Sequence, residues 1–394
     1  MAKKSDGFST RSVHGPKREH YPHHSGTPPI YLTSTFAFPN LEEGAKIARG
    51  EGEGYMYTRL SNPTIDVWVE RMASLEGAAG GCAAASGMAA IASAIMHFTH
   101  AGDNYISSQM IYSGTLRFFK DVLPLYGLET RFVDLHDLDA LKKAIDQRTR
   151  IIFLESPDNP LLRVYDLEAI IAIAHERKIP VAVDTTFTSP ALFRPMDWGA
   201  DMVIHSATKY LCGNGSVIGG IVLTRDEELA HKMQHDTIYN FGGVISPVNA
   251  WLLTMSLQTL TVRMRQHSEN ALKVAQWLEA DDRVAWIHYP GLASHPDAEL
   301  VEKYLPNGGS GMIAFGLKGG REACRHAVDT MNLIIHQVSL GDTKSLMIHP
   351  FSVMFEALSE EERSKLGVVP ELLRLSVGLE DPDDLIADLD GALV

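Results

Sequence analysis

The chain has 394 residues, of which 45% are hydrophobic, so it is long enough for a large core and more than one domain. It carries 35 basic and 49 acidic residues, and this net charge of −14 argues against a nucleic-acid partner or an anionic membrane surface. The three cysteines are far apart and no apolar run approaches a membrane span, so we expect a cytoplasmic protein without a metal site.

Three regions follow one another along the chain. Residues 1–60 are rich in Pro and Gly without a sustained hydrophobic period, which predicts an extended arm. Between 61 and 245, helical patterns such as 167–177 alternate with short strand-like segments, at 105–107, 130–133, 151–155 and 181–183. This alternation predicts an α/β domain around a mostly parallel sheet. Residues 246–394 begin with a helical pattern that continues to Leu278, and later strands at 311–316 and 373–377 indicate a smaller α+β domain.

A run of small residues over 83–90 is predicted to open a helix. Backbone N–H groups and the positive dipole end at a helix N-terminus suit a phosphate. Small residues also serve close helix packing, so this segment alone leaves both interpretations open.

An aspartate ends one of the predicted strands. Residues 179–184 form a short apolar run that closes with Asp184, and such runs are typical of strands covered on both faces of a parallel sheet. Ligands of these sheets bind beyond the carboxyl ends of the strands, where we expect Asp184 to lie. Taken alone, an aspartate that starts a turn is the simpler interpretation.

The most informative segment is Ser206-Ala207-Thr208-Lys209, which lies between the predicted strand 201–205 and the glycine-rich residues 213–220. A lysine preceded by hydroxyl residues suits a Schiff-base lysine beside a phosphate. An aspartate facing a pyridine nitrogen would keep that nitrogen protonated. The strand that ends in Asp184 and the Lys209 segment together therefore predict a pyridoxal phosphate site.

Further motifs occur in order through nearly the whole chain: residues 55–64 (YMYTRLSNPT), 86–88 (SGM), 112–115 (YSGT), 155–160 (ESPDNP), Asp184, 206–209 (SATK), 339–341 (SLG) and 374–380 (RLSVGLE). In these motifs the chain resembles the Cys/Met-metabolism family of fold-type-I pyridoxal phosphate enzymes. The resemblance implies the fold-type-I transferase fold and pyridoxal 5′-phosphate as the cofactor. It also implies a homotetramer, a dimer of dimers, in which the arm contributes to a neighbouring subunit's active site.

The resemblance assigns the cofactor contacts residue by residue. Backbone amides and hydroxyls would bind the phosphate, the arm would reach the phosphate of the neighbouring subunit, and Asp184 would face the ring nitrogen. Tyr112 would stack on the ring, Asn159 would contact the phenolic oxygen, and Lys209 would form the Schiff base. The full predicted cofactor set is Tyr57, Arg59, Ser86, Gly87, Met88, Tyr112, Asn159, Asp184, Ser206, Thr208 and Lys209.

Catalysis and substrate binding are assigned in the same way. Lys209 would move protons and Tyr112 would donate a proton to the leaving group. Arg374, assisted by Ser339, would bind the substrate α-carboxylate. The family often has Thr-His shortly after the His-Pro at 349–350, where this chain has residues 352–356 (SVMFE). An acid at the pocket mouth, Glu356, would favour a cationic leaving group such as that of canavanine. A solvated loop glutamate is the competing interpretation.

The sequence gives opposing indications about the reaction. Residues 336–342 resemble methionine γ-lyases, although Gly114 replaces the cysteine those enzymes commonly carry, whereas 246–253 and 344–350 resemble O-acylhomoserine sulfhydrylases. We expect γ-elimination from an L-amino acid, giving 2-oxobutanoate and ammonia or a γ-replacement product. The alternatives are an O-acetyl- or O-succinylhomoserine sulfhydrylase, a canavanine-type γ-lyase, and a cystathionine γ-lyase or γ-synthase. A non-catalytic ligand-binding relative is a further alternative from another class.

Overall fold

The computed structural model describes residues 6–16 and 21–394. The strands are β1 Gly80–Ala84, β2 Asn104–Ser107, β3 Glu129–Phe132, β4 Thr149–Glu155, β5 Val181–Asp184, β6 Met202–Ser206, β7 Gly220–Thr224, β8 Val284–His288, β9 Met312–Leu317, β10 Ile335–His336, β11 Leu346–Ile348 and β12 Leu372–Ser376. The helices are α1 Phe8–His14, α2 Leu41–Ala48, α3 Pro63–Glu76, α4 Gly87–Phe98, α5 Ser113–Arg117, α6 Leu138–Ala144, α7 Leu167–Glu176, α8 Ser189–Leu192, α9 Glu227–Met233, α10 Pro247–Leu257, α11 Leu260–Ala280, α12 Ala298–Tyr304, α13 Gly320–Thr330, α14 Pro350–Val353, α15 Glu360–Lys365 and α16 Pro382–Ala392. Short 3-10 or π segments occupy Pro22–His24, Phe118–Val122, Leu123–Tyr126, Pro195–Trp198 and Gln234–Tyr239.

The larger sheet has seven strands in the order β1-β7-β6-β5-β4-β2-β3. Its five strands from β6 to β3 are parallel, whereas β7 runs antiparallel to both β6 and β1. Apolar strands such as β5 are buried along their whole length, as expected for a parallel sheet covered by helices on both faces. The predicted α/β fold with a mostly parallel central sheet is confirmed.

Strand register brings the carboxyl ends of β4, β5 and β6 together. Glu155 at the end of β4 pairs with Asp184 at the end of β5, and Asp184 pairs with Ile204 of β6. Paired residues in a sheet present their side chains on the same face. The end of β6 leads directly into the turn that carries Lys209, where the Lys209 N–H donates to the Ser206 carbonyl at 3.2 Å.

A second sheet contains five strands in the order β10-β11-β12-β9-β8. It packs in a hydrophobic cluster of its own, which includes Phe315 of β9, Leu375 of β12 and Leu389 of α16. The larger cluster contains most of the seven-stranded sheet. The predicted boundaries at 60 and 245 stay a prediction.

Three local features differ from the sequence-based expectations. Ala83 and Ala84 belong to β1, because this segment pairs with β7. The helix starts only at Gly87, where the Ser86 hydroxyl accepts the N–H of Ala89 at 3.1 Å as an N-cap. The helical pattern over 246–278 is divided between α10 and α11, because Thr259 leaves the helical conformation.

The predicted extended arm contains regular structure. Helix α1 and helix α2 both lie within it, and α2 is capped by Asn40, whose side-chain oxygen accepts the Glu43 N–H at 2.9 Å. Residues 1–5 and 17–20 of the predicted arm lie outside the described residues. In the rest of the chain, no helix has the length and apolar character needed to cross a membrane.

Candidate active site

Lys209 lies beyond the end of β6, and its Nζ atom donates to Ser339 Oγ at 3.0 Å. Burial lowers the pKa of the Lys209 ammonium to about 8, and the nearby Arg374 guanidinium acts in the same direction. The lowered pKa leaves about a tenth of the amine neutral at pH 7, far more than for an exposed lysine. A lysine of this kind can act both as a nucleophile and as a base.

Two buried carboxyl groups lie side by side at the ends of β4 and β5. Asp184 Oδ1 accepts the N–H of Thr186 at 2.9 Å, and Glu155 Oε1 accepts the N–H of Tyr112 at 2.9 Å. Burial raises the pKa of both carboxyl groups, and the Asp184 charge raises that of Glu155 further. Glu155 was not predicted as a site residue, although it belongs to the 155–160 motif and ends a predicted strand.

Thr186 connects Asp184 with the turn before Lys209. Besides bonding Asp184, its hydroxyl oxygen accepts the N–H of Ser206 at 2.8 Å. The first turn of α4 approaches the same turn closely: a Cβ atom on Gly87 would lie 2.7 Å from Ser206 Cβ. Glycine at position 87 therefore allows the N-terminus of α4 to approach the Ser206 segment. Thr186 was not predicted as a site residue, because a threonine after a strand is common in turns.

The second sheet contributes Arg374, on β12, to the site. Its Nη1 atom donates to Asn159 Oδ1 at 2.9 Å, and its Nη2 atom donates to the carbonyl of Ser339 at 3.3 Å. Burial lowers the pKa of the Arg374 guanidinium to about 10, so it stays charged at neutral pH. A guanidinium has further N–H donors, which remain available for a carboxylate.

A cavity of about 220 Å³ opens between these elements. The predicted site residues that line it are Ser86, Gly87, Met88, Tyr112, Asn159, Asp184, Ser206, Thr208 and Lys209. Glu155 and Thr186 line it as well, together with apolar side chains such as Phe187 and Leu340. Ser339 and Arg374 adjoin this set through their contacts with Lys209 and Asn159. Tyr57, Arg59 and Glu356 lie outside it.

The two arm residues contact each other and a neighbouring segment. The Arg59 guanidinium lies 4.2 Å from the ring centroid of Tyr239 and 5.3 Å from that of Tyr57. Its Nη1 atom also donates to the Tyr239 carbonyl at 3.2 Å. These contacts keep both residues away from the cavity of their own chain, and their predicted roles toward a neighbouring subunit stay predictions.

Glu356 occupies an exposed turn after α14. No contact with the cavity, and no hydrogen bond to any described residue, supports the predicted effect of Glu356 on a substrate. That role stays a prediction.

The donor set of the cavity fits pyridoxal phosphate. The amides at the N-terminus of α4 and the hydroxyls of Ser206 and Thr208 suit a phosphate, and the small Gly87 leaves these groups close together. The buried Asp184 suits a protonated ring nitrogen, and the Lys209 amine suits an aldehyde. In the same described residues, no group of three or more His, Cys, Asp or Glu side chains could hold a metal ion.

Gly114 determines where the ring of Tyr112 can lie. A Cβ atom on Gly114 would stand 2.5 Å from Cε1 of Tyr112, closer than non-bonded carbon atoms approach one another, and 3.2 Å from Cδ1, which is a tight contact. Gly114 lies within α5, where the backbone conformation does not require glycine. A side-chain atom at position 114 would therefore have to displace the Tyr112 ring, whereas the backbone conformation itself does not require glycine.

Comparisons with known proteins agree with this geometry. The family described as Cys/Met metabolism PLP-dependent enzyme matches residues 9–394. An L-methionine γ-lyase from Pseudomonas putida is 42% identical over 394 residues, which cover 99% of this chain and 98% of that protein. A homocysteine/cysteine synthase from Saccharomyces cerevisiae is 38% identical over 409 residues, which cover 93% of this chain and 92% of that protein.

A solved structure shares the fold. The crystal structure of a protein assigned as an O-acetylhomoserine (thiol)-lyase from Campylobacter jejuni superposes with a TM-score of 0.94 at 37% identity. The match covers 98% of this chain and 99% of that one, which contains N′-pyridoxyl-lysine-5′-monophosphate. This similarity confirms the predicted fold and the predicted pyridoxal phosphate cofactor.

We predict that Gly114→Ala lowers kcat/KM about tenfold without lowering stability, because the new methyl group displaces the Tyr112 ring while alanine is favoured in a helix. Gly391→Ala is the matched control, since its added Cβ meets no atom within 4 Å. Steady-state kinetics and thermal unfolding of both variants provide the measurement. Equal kcat/KM values for the two variants would contradict the proposed dependence of Tyr112 on Gly114.

Proposed function

This chain belongs to the Cys/Met-metabolism family of pyridoxal phosphate-dependent enzymes, and we propose that it catalyses γ-elimination from an L-amino acid with a leaving group on the γ carbon. The expected products are 2-oxobutanoate, ammonia and the released group. The proposal rests on one observation: the Lys209 amine and the buried Asp184 carboxyl group line the same cavity. The full-length similarity to methionine γ-lyases supports elimination.

Residues of the cavity would hold the cofactor. Asp184 would bind the ring nitrogen and Asn159 the phenolic oxygen. Tyr112 would cover the ring, and the phosphate would be bound by Ser86, Gly87, Met88, Ser206 and Thr208. When bound, pyridoxal phosphate supplies an electron-poor ring that takes up the electron pair left at the substrate α carbon.

Proton transfer is assigned to Lys209 and Tyr112. Elimination requires the removal of a proton from Cα, the removal of another from Cβ, and a proton for the leaving group. The lowered pKa of Lys209 provides a base near neutral pH. Tyr112 is half-exposed at the cavity, and its hydroxyl is the proposed donor to the leaving group.

Arg374 is proposed to orient the substrate. Its charge lies in a buried position beside Asn159 and Ser339, where water competes little for a carboxylate. The hydrogen bond between Ser339 and Lys209 connects the proposed carboxylate site with the proposed base. This arrangement would hold the substrate Cα close to the lysine amine.

A γ-replacement transferase is the second candidate. Asn249, in the segment that resembles sulfhydrylases, donates through Nδ2 to the carbonyl of Ile218 at 3.0 Å, and Ile218 lines the cavity. The similarity to a homocysteine/cysteine synthase supports the same candidate. The two reactions differ in whether water or a thiol completes them, so the assay below includes sulfide.

We further propose a cytoplasmic homotetramer built from dimers that share active sites. Arg59 and Tyr57 lie outside their own cavity, and the arm exposes apolar side chains, with Leu32 73% and Leu41 91% exposed. Such exposure supports a covering subunit. The three cysteines Cys82, Cys212 and Cys324 are free thiols, as is usual in a reducing compartment.

We predict that the purified protein is yellow and that Lys209→Ala abolishes the visible absorbance of the amine-bound cofactor. The reason is that this variant removes the amine that lines the same cavity as Asp184. Lys232→Ala, at an exposed lysine of α9, is the control and should keep the colour. A colourless wild type that pyridoxal phosphate cannot reconstitute would contradict both the lyase and the ligand-binding alternative.

Arg59→Ala should speed cofactor loss at least about tenfold while changing the folding stability of the apoprotein by less than about 1 kcal/mol, because Arg59 makes only exposed contacts in its own chain. Arg49→Ala removes another arm arginine and should retain the cofactor. Dialysis followed by absorbance spectroscopy measures retention, and light scattering measures assembly. A fully active monomer would refute the shared-site assembly.

The reaction is tested with six amino acids, each with and without sulfide: methionine, homocysteine, cystathionine, O-acetylhomoserine, O-succinylhomoserine and canavanine. Formation of 2-oxobutanoate and ammonia without sulfide, measured by mass spectrometry and an ammonia assay, is the expected result. Turnover of acylhomoserines only with sulfide would replace the lyase by the transferase.

Two further outcomes of the same assay are informative. Bound cofactor without any turnover would favour the ligand-binding relative over an enzyme. A preference for canavanine that Glu356→Gln abolishes would establish the cationic-substrate alternative, which no contact of Glu356 in this chain currently supports.

A further inference from the structure

A buried acid–base pair lies behind the sheet from the cavity. Glu76 is the last residue of α3, His205 lies on β6, and the two side chains are 0% and 1% exposed. His205 Nε2 lies 3.0 Å from Glu76 Oε2. Because Asp184 pairs with Ile204, its side chain shares the face of Ile204, and the adjacent His205 points to the opposite face.

This pair is costly to bury. Glu76 Oε1 has no hydrogen-bond partner within the described chain, so one carboxyl oxygen lies in the interior without compensation. Well-packed apolar residues in place of a buried ion pair are often as stable or more stable. Packing alone therefore gives no reason for an acid and a base at these two positions.

The pair is connected to Asp184 through Thr185. His205 Nδ1 lies 3.4 Å from Thr185 Oγ1, and the Thr185 N–H donates to the Ile204 carbonyl at 3.0 Å. Thr185 follows Asp184 directly in the chain, so His205 lies beside the β5 end that carries this carboxyl group.

Few charged groups lie near the Glu76–His205 pair among the described residues. Helix α3 contributes Glu76 and β5 contributes Asp184, whereas the residue of β7 opposite His205 is the apolar Ile221. Burial raises the pKa of the Glu76 carboxyl group, and the adjacent His205 opposes that effect. Arg194 and Asp197, in and next to the Pro195–Trp198 segment, act on Glu76 with opposite signs. A positive charge on His205 would lower the pKa of Asp184.

We propose that Glu76 and His205 form a positioning unit in which Glu76 keeps the imidazole of His205 protonated and the resulting positive charge keeps Asp184 ionised. The inference rests on the cofactor site of the proposed function, because ionised Asp184 is the group that would bind the ring nitrogen. Neither residue touches the cavity, so both act through Asp184. The ion pair is a buried dipole whose positive end faces β5.

Loss of this dipole has a defined electrostatic consequence. Without the positive end, the surroundings of Asp184 become more negative, so cationic groups of the site keep their protons to higher pH. Asp184 itself is ionised less readily, which weakens its hold on a protonated ring nitrogen. The effect on the cofactor spectrum has a fixed sign, whereas a purely structural role predicts no spectral change.

The test uses the holoenzyme without substrate. Glu76→Gln, His205→Gln and the double variant are titrated with pH, and the midpoint of the change in visible cofactor absorbance is recorded. We expect each variant to raise the midpoint by about 0.5–1 pH unit and to lose cofactor faster than the wild type. The double variant should shift no more than either single variant, because the two residues act as one unit.

His295→Gln is the matched control, since this histidine is equally buried but bonds the distant Leu162 carbonyl. An unchanged midpoint in folded variants, or an equal shift in the control, would overturn the proposal. A colourless wild type would show that the proposed cofactor site is wrong, whereas a coloured wild type with unshifted variants would show that only the proposed role of Glu76 and His205 is wrong.

If every variant fails to fold, histidine-labelled wild-type holoenzyme is examined by nitrogen NMR. A buried ring that stays doubly protonated wherever the enzyme is folded supports the proposal, and a neutral ring in every buried histidine overturns it.

Discussion

The in-register pairing of β4, β5 and β6 is the constraint on which the candidate site depends. It places Glu155 and Asp184 side by side and directs the chain from Ile204 toward Lys209 at the same sheet edge. Side chains alternate between faces with a period of two, so a slip of one residue would move Asp184 to the opposite face.

Charge balance explains how so many ionisable groups are accommodated in one cavity. Asp184 and Glu155 are acidic, and Lys209 and Arg374 are basic, so neither sign accumulates in the interior. Burial shifts each pKa toward the neutral form, and opposite charges reverse part of that shift. The lysine is therefore a usable base, while the more basic arginine remains charged. The small second sheet is essential to this balance because it supplies Arg374.

The sequence was sufficient for the parts of the site that follow from periodicity and strand ends. Asp184 and Lys209 were predicted because apolar runs mark buried strands, and ligands bind where parallel strands end. Glu155 was missed because strand pairing places it beside Asp184, and no local pattern indicates which strands are neighbours. Thr186 was missed because a threonine after a strand is common in turns. The break at Thr259 was missed because the residues on both sides keep a helical period. Tyr57 and Arg59 are predicted to act in another subunit, and contacts within one chain do not include contacts between subunits.

The most direct test of this account is to locate the amine that holds the cofactor. The holoenzyme is reduced with borohydride, which fixes pyridoxal phosphate to that amine, and is then digested and sequenced by mass spectrometry. We expect one adduct per chain, on Lys209, and its disappearance when the cofactor is removed before reduction. An adduct on a different lysine, or adducts spread over several exposed lysines without one on Lys209, would contradict it.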